Sequence, residues 1–184
     1  MKTVTYEEFL GFNPSCLEDK GGAERLKAFF DRFGGNISAL DILNLDGASA
    51  DGKLWAVLRE EFIPAPILHE FACVCAEYAL TLIDDPDPRS IQAIETKRAW
   101  LRGEATCREL DAASDDAWDA TWEATWDDRE SARAAAWAAR DSSRAAWDVV
   151  RAARDAAWLA SKAASDATCE AQVAYLIMTL EEEK

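Results

Sequence analysis

The sequence predicts an all-α protein, with a multi-helix bundle over residues 1–110 and a long Ala/Trp/Arg-rich helix or helical hairpin over 111–184. The second part is expected to pack on the first as one domain. Three observations carry this. All 8 glycines and all 5 prolines fall in the first 110 of 184 residues, so the strongest helix breakers are absent from the rest. Ala, the best helix former, dominates that rest. Through the first part, helix-spaced apolar residues recur between capping and turn signals.

Taken in order, Thr5-x-x-Glu8 has the form of a capping box. Ala23 to Phe33 has helical apolar spacing and is stopped by Gly34-Gly35. Ile37 to Leu45 fits a short helix better than an isolated extended piece. Leu54 to Phe62 is helical and ends before Pro64-Ala65-Pro66. Ile67 to Ile83 is apolar nearly all round, which predicts the centre of the core. Asp84-Asp85-Pro86-Asp87-Pro88 turns the chain into a helix over Ser90 to Arg102, with Pro88 near its first position. Gly103 breaks that helix, and Thr106-x-x-Glu109 is a second capping box.

Composition excludes several classes. With 20 Lys and Arg against 35 Asp and Glu, the net charge is -15, which argues against direct contact with nucleic acid or anionic membrane. At 49% hydrophobic residues the chain is no disordered acidic tail. No apolar run approaches the ~18 residues of a membrane span. The first residues lack a basic cluster followed by an apolar stretch, so no secretory signal is expected. Five scattered cysteines give no disulfide framework, and a reduced, intracellular protein is the expectation.

The most informative stretch is a ladder: Trp126, Arg129, Arg133, Trp137, Arg140, Arg144, Trp147, Arg151, Arg154, Trp158 and Lys162. Its steps of three and four average one α-helical turn, and Trp118 and Trp122 lie in the same arc of about 100°. Acids follow ladder positions by one residue, and pairs such as Glu130–Arg133, Asp141–Arg144 and Asp148–Arg151 add roughly 0.2–0.5 kcal/mol each. The remaining face is mostly Ala and Ser, smooth enough for another helix to approach closely. The ladder is either a helix whose Trp are half covered by Arg stems or a docking surface, Trp and Arg being common hot-spot residues. An unbroken helix from Thr106 to Leu180 would run about 110 Å, against a compact-domain radius of gyration near ~16 Å. Both a projecting arm and a hairpin are open, with Asp127-Asp128 and Asp141-Ser142-Ser143 the weakest points.

Acidity peaks over 111–130, where Asp111, Asp115, Asp116, Asp119, Glu123, Asp127, Asp128 and Glu130 face a single base, Arg129. With Trp118, Trp122 and Trp126 as anchors, these acids are the candidate partner-binding residues, suited to a basic protein surface. The alternative is a solvated face that keeps an alanine-rich helix in solution.

No catalytic constellation stands out. The only histidine, His69, is in phase with Cys73, but nothing completes a four-ligand zinc site. It reads as a core histidine with its hydrogen bonds satisfied. Cys73-x-Cys75 lacks redox spacing, and Gly21-Gly22 and Gly34-Gly35 are turns rather than phosphate loops. No enzyme, metal or cofactor is expected.

Several segments together resemble a bacterial and phage family of immunity proteins, close to the immunity-five-like group of polymorphic toxin systems. They are Asp31-Arg32-Phe33-Gly34-Gly35, Leu54-Trp55-Ala56-Val57-Leu58-Arg59, Arg98-Ala99-Trp100-Leu101-Arg102-Gly103-Glu104-Ala105-Thr106, and an Ala-Ala-Trp-Ala-Ala-Arg tail ending near Glu170-Ala171-Gln172. The resemblance implies a non-catalytic protein that binds and neutralises a partner such as a nuclease toxin. The regular ladder and the aliphatic end Val173 to Met178 depart from the usual tail. The expectation is therefore an acidic inhibitor of a basic, nucleic-acid-handling protein. Two alternatives are a phage-encoded anti-defence inhibitor, such as an anti-CRISPR acting as a DNA mimic, and a self-associating structural protein, for instance a homodimer.

Overall fold

A computed structural model describes residues 2–14, 17, 21–123, 137–138, 149–163 and 166–183. Among them the fold is all-α, with one two-stranded antiparallel sheet. Strand β1 (Thr3–Thr5) pairs with β2 (Asn36–Ser38), Val4 opposite Ile37. Each strand places one β-branched residue inward between two polar ones, and Val4 and Ile37 are both buried. Each strand also ends on the N-cap of the next helix. Thr5 caps α1 (Tyr6–Leu10) with Glu8 returning the bond, and Ser38 caps α3 (Ala39–Leu43) with Asp41 returning it. The segment read as one helix over 37–45 is thus part strand and part helix, because Ile37 has a partner 33 residues away that local spacing does not reveal.

Helix α2 (Gly22–Arg32) ends as expected at Gly34-Gly35, both at positive φ. The Gly35 N–H donates to the Phe30 carbonyl at 2.9 Å, the six-to-one bond of a Schellman closure. Helix α4 (Ala50–Val57) corrects the expected 54–62. It starts earlier because the Ser49 hydroxyl accepts the Gly52 N–H, and it stops at an inverse γ-turn on Leu58, where the Arg59 N–H donates to Val57. Helix α5 (Ala65–Leu80) is entered through Pro64, and α6 (Pro88–Leu101) through Asp87, whose carboxylate accepts the Arg89 N–H. Helix α7 (Cys107–Glu123) follows the Thr106–Glu109 box. Two more helices, α8 (Val149–Ala163) and α9 (Asp166–Glu182), complete the described chain.

α5 is the central element. Leu68, Phe71, Ala72, Cys73, Cys75, Ala76 and Ala79 are all buried on it, on more than one face. α6 packs on it, α7 packs on α6, and among the described residues α8 packs on α5 more extensively than any other pair of helices meets. α8 presents Ala153, Ala156, Ala157 and Ala160 to the core, all buried, and turns Trp158 out to 56% exposure. Aromatic packing of Phe9 on Phe30 and Phe62, with ring centroids 5.6 and 6.4 Å apart, closes the end near the sheet.

A single projecting helix from Thr106 to Leu180 is excluded. The Gln172 side-chain amide donates to the Ala157 carbonyl at 3.2 Å, where a straight helix would hold those residues about 22 Å apart. Trp118 and Trp137 likewise meet at 5.4 Å. α9 packs against α8, α4 and α3, so the chain folds back beyond Ala163, a point without glycine or proline that composition does not mark. The breaks expected at Asp127-Asp128 and Asp141-Ser142-Ser143 lie outside the described residues.

The alanine seam sets a stability test. Ala156→Leu forces methyl groups into a filled contact and should cost about 1–3 kcal/mol, while Trp158→Ala on the outer face should cost less. Urea denaturation of both variants measures this, and equal losses would contradict the assigned faces.

Candidate protein-binding face

α7 packs through Leu110, Ala113, Ser114, Ala117 and Ala120, all buried, so its helical period turns Asp111, Asp115, Asp116 and Asp119 to solvent. Asp111, Asp115 and Asp119 recur at steps of about 6 Å along one ridge. Among the described residues none of these four acids has an ion-pair partner. The ridge therefore concentrates uncompensated negative charge. Trp118, half-buried on the same helix, meets the Trp137 ring edge-on at 67°.

Between α6 and α7 runs an open groove of about 680 Å³. Ala99, Ala105 and Ala112 line it, with Glu95, Glu109 and Asp116 among its carboxylates. Its two cations already hold carboxylates. Arg98 reaches Glu70 at 2.7 Å and also binds Glu77, bonds that raise its pKa, and Arg102 pairs with Glu104 at 2.7 Å. Glu109 is occupied by the cap, where the Thr106 backbone N–H holds its carboxyl below the ordinary range.

The remaining candidates are placed as follows. Trp122 and Glu123 lie in α7, but their side chains are outside the described residues. Trp126, Asp127, Asp128, Arg129, Glu130, Arg133, Arg140, Arg144 and Trp147 are outside as well. On α8, Arg151 is exposed and pairs with Asp155 at 3.4 Å, and Arg154 is half-buried, its Nη2 donating to the Trp55 carbonyl at 3.3 Å.

That last bond belongs to a cluster that sequence reasoning missed. The Arg59 guanidinium lies between the rings of Phe12 and Trp55, 4.2 and 4.6 Å from their centroids. Its Nε donates to the Ala56 carbonyl. Burial and the neighbouring Arg154 lower its pKa to about 10. Only the four-residue spacing of Trp55 and Arg59 hints at this in the sequence, since Phe12 and Arg154 arrive from distant segments.

A second missed residue is Lys97, fully buried, with its ammonium 4.5 Å from the Trp100 ring. Ser90, Ala93, Ile94 and Lys97 occupy positions i, i+3, i+4 and i+7, the buried face of α6, so its burial was legible. Desolvation lowers its pKa to about 8. The ring of His69 stands edge-on to the same indole. Burial, and then Lys97, lower its pKa to about 4. His69 is a core histidine, as expected, but its Nδ1 has no hydrogen-bond partner among the described residues, so the satisfied state expected for it is corrected. Burial likewise raises the thiols of Cys73, to about 12, and Cys75. Among the described residues, no group of three or more His, Cys, Asp and Glu side chains is placed to hold a metal, and no helix is long and apolar enough to cross a membrane.

Two linkage tests follow. Between pH 8 and 10.5 the unfolded chain holds the Lys97 proton and the folded chain has shed it, so stability should rise with pH there. Lys97→Met should stabilise the protein by about 1–3 kcal/mol at pH 7, with the advantage over wild type shrinking toward pH 10.5. Between pH 6.5 and 4 the unfolded chain protonates at His69 first, so stability should be lost as the pH is lowered through that range. His69→Gln should flatten that limb in urea titrations, and an unchanged slope would refute the assignment. No protein-family model, curated protein or solved structure matches this chain, so its function is read from its own residues.

Proposed function

We propose that the chain is a non-catalytic, immunity-type inhibitor of the bacterial cytoplasm that binds and neutralises a basic, nucleic-acid-handling protein. The observation that carries this reading is the α7 ridge: Asp111, Asp115, Asp116 and Asp119 all face solvent, none ion-paired among the described residues, beside the half-buried Trp118. Carboxylates presented at regular steps on a rigid helix attract a cationic surface from a distance and fix its register. The partly exposed indole adds the aromatic anchor that such interfaces use. The resemblance to immunity proteins supports the same reading.

The same ridge would serve a phage-encoded anti-defence inhibitor acting as a DNA mimic. A row of carboxylates repeated along a helix offers a nuclease channel anions in place of a strand's phosphates, which suits either version. The two versions differ in who makes the inhibitor, not in how it binds.

The test is capture of a basic partner from bacterial lysate at about 0.1 M and 0.5 M salt, since screening at the higher salt shortens the reach of surface charge to a few ångströms. Wild type should retain a nucleic-acid-binding protein at low salt and lose it at high salt, with DNA competing. Reversing Asp115, Asp116, Asp119 and Glu123 to Lys should abolish capture with helicity by circular dichroism unchanged. Capture that survives this reversal would overturn the proposal.

A further inference from the structure

We propose that the α6–α7 groove seats an arginine-bearing segment of the basic partner, with side-chain stems lying over the alanine walls and a guanidinium pairing with Glu95. The inference rests on the partner reading above and adds where, beside the ridge, that partner docks. Shape is the first support. The groove is an open concavity of about 680 Å³ whose walls at Ala99, Ala105 and Ala112 end at a methyl group, so an extended segment can lie in it with its side chains.

Charge is the second. Glu95 on α6 and Asp116 on α7 line the groove, both are exposed, and neither has an ion-pair partner among the described residues. The two cations of the lining are already engaged by carboxylates outside it, Arg98 by Glu70 and Glu77 and Arg102 by Glu104. Glu109 is turned to its cap, accepting from the Thr106 N–H at 2.7 Å and the Thr106 hydroxyl at 2.8 Å. An incoming cation thus meets unpaired carboxylates and has no internal cation to displace. The third support is continuity. Asp116 belongs to both groove and ridge, so a surface drawn to Asp111, Asp115 and Asp119 arrives at the groove's edge in the same encounter.

Arginine suits the site better than lysine. Its stem covers alanine methyls while the head stays at the wet rim, and its planar fork gives a carboxylate two parallel hydrogen bonds. A second copy of this chain is the poorer occupant, since two molecules at -15 repel each other. A neutral segment would cover Glu95 without offering it a partner, which costs desolvation.

Isothermal titration calorimetry of the full chain with a capped hexa-arginine peptide, at about 0.05 M salt to keep screening weak, tests the proposal. Wild type should bind the peptide, and hexa-glutamine should give no heat. Ala112→Trp fills the groove without changing the net charge and should weaken binding about tenfold or more. Glu95→Gln should weaken it about threefold. Asp51→Asn removes the same single charge on α4, which meets α3 and α9, and should weaken it less. All three positions are exposed, so the variants should keep the wild-type circular dichroism. No binding by wild type, binding unchanged in Ala112→Trp, or equal losses in Glu95→Gln and Asp51→Asn would overturn the inference while leaving the ridge to its own reversal test. Uptake of hexa-glutamine would give the groove to a neutral segment. A heat of dilution of wild type alone that Ala112→Trp abolishes would give it to a second copy. Either result also overturns the inference. A wild type that captures no basic partner overturns the partner reading and this inference together.

Discussion

The structure depends on the close contact of α5 and α8. A helix bearing Ala153, Ala156, Ala157 and Ala160 on one side can lie nearer its neighbour than one with branched side chains, and the gain is dispersion spread over many backbone atoms. Alanine also loses no side-chain entropy on burial. The consequence is directional. Once the small residues are turned inward, the 3.6-residue period carries Trp158 and Arg151 outward, so an indole that would normally fill a core is more than half exposed. The fold and the unusual surface are two results of one seam.

Burial elsewhere is less economical. Lys97 and His69 share the indole of Trp100, and both are held toward their neutral forms by desolvation. A few ångströms away on the outer side of the same helices, Arg98 binds Glu70 and Glu77 and ties α6 to α5. The α5–α6 contact thus combines a costly interior with a partly solvated ionic clamp. Charged pairs of that kind specify register more than they stabilise, and here the register decides which residues of α6 meet α7, and hence the shape of the groove between them.

What the sequence revealed follows from how local each signal is. The capping boxes at Thr5 and Thr106, the Gly34-Gly35 closure and the Pro88 entry are each contained within a few residues, and all were legible without coordinates. The burial of α5 was legible because its apolar residues cover nearly every face. Strands β1 and β2 were not, because three residues carry too little pattern and their partners lie far apart in the chain. The end of α4 at Val57 was hidden because Leu58 adopts a γ-turn that no glycine or proline marks. The acidic ridge was visible as spacing, since one helix carries it. The Arg59 stack was not, because it is assembled from Phe12, Trp55 and Arg154, three segments joined only by the fold.

Charge placement gives the last step. A protein at -15 repels other acids at long range, yet at physiological salt that repulsion fades within about 8 Å. Inside that distance the local pattern decides, and the pattern here is divided. The ridge acids of α7 have no ion-pair partner among the described residues, while on the α4–α8 side the Arg59 guanidinium lies against the Trp55 indole and Arg154 donates to the Trp55 carbonyl. A charge needed only for solubility works as well on a mobile side chain as on one held against two rings, as Arg59 is. A guanidinium held rigid loses less entropy when an anion arrives, and a carboxylate ridge on a packed helix offers the same advantage to a cation. Both groups are thus held in place before any counter-ion meets them.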